Sequence, residues 1–424
     1  MSKPKNKKRI TILPLSLITL VLAAIFIVSC WIKNIDTPYY TQDTSYYCGA
    51  ASAQMILDSE EIGIYVDQAT LYSYIHSHNQ CSGWATDPKG LRDVLNHYSS
   101  YFIYYTPTSQ ENGVKKLAYT IDKYGVPPSC LIYGCQHWVV VRGVFTDVQP
   151  TTASSYTIYG FFVNDPWYGS DTLGENKYID IDTWKDDYFT GCSWCGASGT
   201  TFISVVDPEP LQVVKIEYPQ IMARKPNIIS ESEARMHAEK YLRSFKSQEI
   251  FRKHFKEAFD HIETAIVGSP MLVKRTDREK SAYYIIPLQR DEMTSGAMII
   301  DAYSGQYKEA SYVKKPIKYI QKLQEKRAIE LFRKKLPHLI VKKADIKEKF
   351  LKPIRITPRD VKIVTMERVW EPSIQTQNPY YPMWKAAGIV KDMKKPATLG
   401  YVDFKGRVFD KIVKSRIKGG GGLK

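Results

Sequence analysis

At 424 residues the chain is too long for one hydrophobic core, which predicts two or three domains, and an apolar fraction of 44% excludes a disordered polymer. The net charge of +15 is unevenly divided: residues 36–208 hold 8 basic and 19 acidic side chains, residues 209–424 hold 45 and 25, so an acidic unit precedes a basic one. The lysines are scattered and form no nucleic-acid motif, so nucleic acid is not an expected partner; a solvated surface or contact with anionic envelope polymers is.

The chain opens with Lys3, Lys5, Lys7, Lys8 and Arg9, followed by an apolar run from Ile10 to Ile32. A basic flank before an apolar run is an export signal whose positive end stays in the cytoplasm. The run also has the roughly 20 residues that a bilayer span needs. Two outcomes stay open. Ile27-Val28-Ser29-Cys30 resembles a lipobox, with Cys30 as the lipidated residue; alternatively, Trp31 and Lys33 anchor an uncleaved helix at the interface. Residues 1–33 are thus expected to be a signal sequence or membrane anchor, with the rest of the chain on the outer side of the membrane.

Gly49 to Asp58 predicts a helix, with small residues first and then Met55, Ile56 and Leu57. Asp67 caps a second helix through about His76. Thr86-Asp87-Pro88 starts a third through Tyr98, with Leu91, Val94 and Leu95 as its apolar stripe, and Ser109 to Tyr124 is a fourth, ended by Gly125-Val126-Pro127-Pro128. The period then changes. Leu131-Ile132-Tyr133 is a short strand, His137 to Phe145 a long apolar one, and Tyr156 to Asn164 returns after a polar loop at 146–155. Helices before a hairpin sheet make an α+β unit over residues 36–208.

A linker is expected at 209–228, after which one pattern occurs twice. Ser230-Glu231-Ser232-Glu233 opens a helix, Tyr283 to Leu288 is a strand, and Ala297 to Tyr307 is a hairpin. Arg327 to Leu336, Tyr381 to Ala386 and Leu399 to Val408 repeat that order. Both hairpins set an Asp three or four residues before a Gly, as a turn needing positive φ does. Two helix-plus-sheet units follow, at 229–314 and, more weakly patterned, at 318–415. The tail 416–424, with Gly419 to Gly422, is expected to be flexible.

The stretch with chemical content is Gln42-Asp43-Thr44-Ser45-Tyr46-Tyr47-Cys48-Gly49-Ala50-Ala51-Ser52. A thiol attacks a carbonyl as the thiolate, and Cys48 stands where a helix begins, so free N–H groups and the dipole favour its negative charge. Gly49 and Ala50 leave room for a substrate backbone. Gln42 can supply one oxyanion donor and the Cys48 N–H another. Of the eight histidines, His137 alone opens a strongly apolar strand, and the return strand ends at Asn164-Asp165-Pro166-Trp167. The hairpin therefore sets Asp165 beside His137, where it can fix the imidazole tautomer.

"QDTSYYCGAAS", "HWVVVRGV" and "NDPW" resemble the papain-like cysteine peptidases related to the bacteriocin-leader, double-glycine-cleaving enzymes, over roughly residues 36–206. The resemblance implies a papain-like domain in which Cys48 is the nucleophile, His137 the base, Asp165 its orienter and Gln42 the oxyanion residue. Peptide or protein is the implied substrate and no cofactor is required. Ala50 stands where that family usually has Pro, and Gln136 where it often has Gly. The unit at 229–314, with its acidic helix start and its "IIDAYSGQ" turn, resembles the PepSY module.

Beyond Cys30 and Cys48, five cysteines remain: Cys81, Cys130, Cys135, Cys192 and Cys195. Outside a cell they are expected as disulfides or free thiols; a zinc site from Cys130, Cys135, Cys192 and Cys195 is the alternative. Two other functional readings stand beside the peptidase. One is a catalytically inactive, peptidase-shaped surface-binding module. The other is a transglutaminase or wall amidase, which lacks a Gln six residues before the Cys.

Overall fold

The computed structural model describes residues 30–413, apart from 101, 168–173, 208–214, 248–251, 254–255, 291–292, 318–324, 336–359, 374, 377–381, 391–395 and 405. The predicted export run up to residue 29, the start of the linker, the start of the second repeat unit and the glycine-rich tail lie outside the described residues.

Four helices come first: α1 (Cys48–Leu57), α2 (Gln68–His78), α3 (Pro88–Tyr98) and α4 (Gln110–Tyr124). Three carry side-chain caps: Asp67 accepts from Thr70 N–H, Asp87 from Gly90 N–H, and Ser109 from Asn112 N–H. Such a cap satisfies one of a helix's orphan amides and contributes about 1 kcal/mol. Gly125, at φ 66°, closes α4 in the left-handed conformation a side chain resists. Helix α1 differs: Tyr47 caps it with no side-chain hydrogen bond, and all ten of its residues are buried.

The sheet beside these helices is built on β4 (His137–Thr146), buried along its whole length. One edge of β4 pairs with β3 (Ser129–Ile132) and, further along, with β1 (Trp31–Asn34); the other pairs with β5 (Ser155–Asn164). Strand β2 (Ile103–Tyr105) pairs with β9 (Ser204–Val206), which pairs with β3, while β6 (Lys177–Asp180) and the short parallel β10 (Lys215–Glu217) flank β5. A separate two-stranded ribbon joins β7 (Cys192–Trp194) to β8 (Ala197–Thr201).

The repeat follows as two antiparallel meanders. The first has helices α5 (Glu231–Ser247) and α6 (Lys256–Glu263), then β11 (Ile266–Val267), β12 (Met271–Arg275), β13 (Ala282–Arg290), β14 (Met293–Asp301) and β15 (Tyr307–Ile317). The second has α7 (Glu325–Lys335), β16 (Val361–Trp370), β17 (Met383–Val390), β18 (Ala397–Asp403) and β19 (Val408–Phe409). Strands β12 and β16 join the meanders edge to edge, and β15 pairs with β6. One mostly antiparallel sheet thus runs through an α+β molecule from end to end.

Several expectations are corrected. Trp31 and Lys33, expected to anchor a helix at the membrane interface, lie in β1, paired with Thr146 and Val144, and Ile32 is buried. Among the described residues no helix is long and apolar enough to cross a membrane. Strand β1 pairs with β4 and strand β10 with β5, both from outside residues 36–208. Tyr133 belongs to a turn, at φ 53°, and not to a strand. The units also share a core: Ile32, Phe145, Phe162 and Tyr178 pack with Ala234, Leu242, Tyr284, Met298 and Tyr307.

Candidate active site

Cys48 is the first residue of α1 and has no solvent exposure. Because no side chain caps this helix, its amino-terminal field is available to an anion at the thiol. The Trp138 backbone N–H points at Sγ, 3.4 Å away. The indole Nε1–H of Trp138 donates to the Thr86 carbonyl at 3.0 Å, tying the start of β4 to the helical side.

His137 opens β4, opposite Ile132 of β3. Asp165 directly follows β5, whose last residue, Asn164, pairs with Val140. The two side chains meet: His137 Nε2 lies 2.8 Å from Asp165 Oδ1, with exposures of 3% and 1%. Asp165 Oδ1 also accepts the Trp167 N–H at 3.1 Å, and the Asp165 carbonyl accepts the Tyr39 hydroxyl at 2.9 Å. The Trp167 ring stands edge-on to the imidazole, 5.2 Å between centroids. Nδ1 of His137 is buried, and Cys48 acts on the same ring.

Burial disfavours a charged imidazole, yet the Asp165 charge and hydrogen bond, with the Cys48 thiol, outweigh it and push His137 up to about 9. For Asp165 burial pushes upward, and the His137 charge and hydrogen bond, helped by Lys177, bring the carboxyl below its ordinary range. The three groups thus form one buried set, with the imidazole acted on by both the Asp165 carboxyl and the Cys48 sulfur.

Gln42 is brought to the same region, since its backbone N–H donates to the Pro166 carbonyl at 2.8 Å. Its side-chain Nε2 donates to the Thr44 carbonyl at 2.6 Å, and Oε1 is buried without a partner. The amide is therefore partly committed to its own loop instead of pointing wholly at an oxyanion. Gly49 serves packing more than substrate access: a Cβ there would lie 2.4 Å from Thr86 Cγ2. Cys30 sits just before β1, half-buried beside Tyr159, its thiol pushed up by burial and by Asp147.

Four of the five remaining cysteines pair in disulfides: Cys81 with Cys195, and Cys135 with Cys192. Cys130 is a buried thiol, pushed well up by that burial. Among the described residues no group of three or more His, Cys, Asp or Glu is placed to hold a metal ion. Sequence reasoning missed Tyr39, Trp138 and Trp167 as parts of the site. Trp167 carried a signal, as an aromatic two residues after the candidate Asp; Tyr39 lay among many tyrosines and carried none.

No family model matches the chain, and no curated protein matches it. Among solved structures it is similar to the Bacillus megaterium YpeB C-terminal domain, at 11% identity and a TM-score of 0.15, with 73% of this chain and 98% of that chain covered. A superposition so loose says nothing about fold or chemistry.

Proposed function

We propose that the chain is a thiol hydrolase acting on acyl groups. More narrowly, we take it as a papain-like cysteine peptidase, related to the double-glycine-cleaving enzymes it resembles and followed by two PepSY-like units. The observation that carries this is the 2.8 Å His137–Asp165 contact, with the Cys48 thiol acting on the same ring at an uncapped helix start.

In this reading the Cys48 thiolate attacks the scissile carbonyl and the helix start favours the charge before attack. The oxyanion collects beside the first turn of α1, with the Gln42 amide turning from Thr44 to meet it. Imidazolium at His137 passes its proton to the leaving amine, and Asp165 keeps the ring oriented. The ring then takes a proton from water, and the resulting hydroxide releases the acyl group. Export and membrane tethering through residues 1–33, with the basic C-terminal half against anionic envelope polymer, complete the proposal. Salt-independent retention of the full chain on teichoic-acid-type polymer would remove the last element.

A second reading, the inactive surface-binding module, draws on one observation: Cys48 has no exposed surface, so a substrate enters only after groups above it move. Labelling of Cys48 by iodoacetamide at pH 7, read by peptide mass spectrometry, separates the two. The hydrolase reading expects fast labelling in wild type, at least tenfold slower labelling in His137→Ala, and peptide cleavage abolished in Cys48→Ala. Equal labelling of wild type and His137→Ala favours the module.

A further inference from the structure

The ribbon from Cys192 to Thr201 stands apart from the main sheet and contains none of the candidate catalytic residues. Its two cysteines, three residues apart, nevertheless bond to different sides of the site. Cys192 is bonded to Cys135, two residues before His137. Cys195 is bonded to Cys81, in the loop between α2 and α3.

The His137 side needs such a tie. Tyr133, Gly134 and Cys135 have φ of 53°, 63° and 66°, three left-handed residues in succession between β3 and β4. A left-handed residue other than glycine is strained, so this turn relaxes unless its surroundings hold it. Tyr133 N–H donates to the Tyr188 carbonyl at 2.9 Å, and Gly134 N–H to Thr190 Oγ1 at 2.8 Å. With the Cys135–Cys192 bond, three successive residues of the turn are fastened to the chain at 188–192.

The other end reaches the nucleophile. Cys81 N–H donates to Asp87 Oδ2 at 2.7 Å, and Asp87 caps α3. The preceding residue, Thr86, covers Gly49 with its side chain and accepts the Trp138 indole with its carbonyl.

We propose that the Cys192–Cys195 strap is a positioning device, whose disulfides hold the His137 turn and the Cys48-bearing helical side in register. The proposal rests on the thiol-hydrolase reading and assigns Cys135, Cys192, Cys81, Cys195 and Thr190 as positioning residues.

The test uses the full chain and reads two quantities: the rate of Cys48 alkylation by iodoacetamide at pH 7, and the titration midpoint of the His137 ring by NMR. Cys135→Ser with Cys192→Ser is expected to slow labelling at least tenfold and to move the His137 midpoint from about 9 toward 6.5. Cys81→Ser with Cys195→Ser is expected to slow labelling similarly. Thr190→Val leaves both disulfides in place and is expected to shift both readouts the same way by two- to threefold in rate. A folded Cys135/Cys192 variant with unchanged rate and midpoint overturns the proposal. Should that variant not fold, an unchanged Thr190→Val overturns it. If wild-type Cys48 labels no faster than His137→Ala, the hydrolase reading fails, and the His137 midpoint still decides whether the strap positions the ring.

Discussion

At His137 burial and ionic partnership pull in opposite directions, and the partners win. A ring raised from 6.5 to about 9 binds its proton more tightly in the folded chain. Its contribution to stability is therefore complete below pH 6.5 and fades as pH climbs through about 9. Asp165 behaves oppositely, losing its contribution as pH falls through its lowered value. Asp165→Asn should thus cost about 3 kcal/mol near pH 6 and much less at pH 10, as read by urea unfolding at the two pH values. If His137 delivers the proton to the leaving group, kcat/KM on a cleaved peptide should also fall as pH rises through about 9. Gly49→Ala tests packing: the new methyl must displace Thr86, an overpacking cost of about 1–3 kcal/mol that exceeds the ~1 kcal/mol gained in helix propensity. The meeting of His137 and Asp165 was legible because a hairpin sets the start of one strand beside the end of the next. The Gln42 amide direction was not, since it depends on which nearby carbonyl the loop offers.

Among elements, those with their own punctuation were readable. Asp67, Asp87 and Ser109 cap where helix starts were expected, and at α5 Ser230 and Glu233 bond each other's backbone N–H groups at 3.2 and 2.8 Å. The Asp–Gly hairpins were readable too, because the turn needs them. Asp301 accepts from Tyr303 and Ser304 N–H, both at 2.9 Å, with Gly305 at φ 75°; Asp403 accepts from Arg407 N–H at 2.7 Å, with Gly406 at φ 80°. Asp301→Ala should therefore cost about 2 kcal/mol and loosen hydrogen exchange in β14 and β15 before it does so in β4. Strands β1, β2, β6 and β9 escaped notice, while β10 falls in the linker at 209–228, where some strand was expected. Each has only three or four residues, too few for a period, and is made a strand by a partner distant in sequence. The disulfide pairing was hidden for the same reason, since spacing alone cannot choose a partner.

For the whole molecule, the acidic and basic halves foretold two units but not their fusion. Strand β6 meets β15 across about 130 residues of sequence, and only the folded chain shows it. Acid and base then meet at the seam: Asp187 faces Arg275 at 2.5 Å, Arg278 at 2.8 Å and Lys308 at 3.8 Å, which together hold its carboxyl below the ordinary range despite burial. Beneath them Lys177 and Glu309, 0% and 1% exposed, stand 3.7 Å apart, with the Tyr188 hydroxyl bonded to both. Glu309→Ala would remove the buried carboxylate that faces Lys177 and should destabilise by about 3–5 kcal/mol. Calorimetry of that variant should still show the first two units melting together, because they share one core. Strand β1 begins at the residue after Cys30. An extended residue spans only ~3.3 Å, so an anchor ending at 29 or 30 would leave almost no slack before the rigid sheet. Such a protein would ride flush on its lipid surface, not swing on a leash, and would work on whatever comes within a molecular radius of that plane.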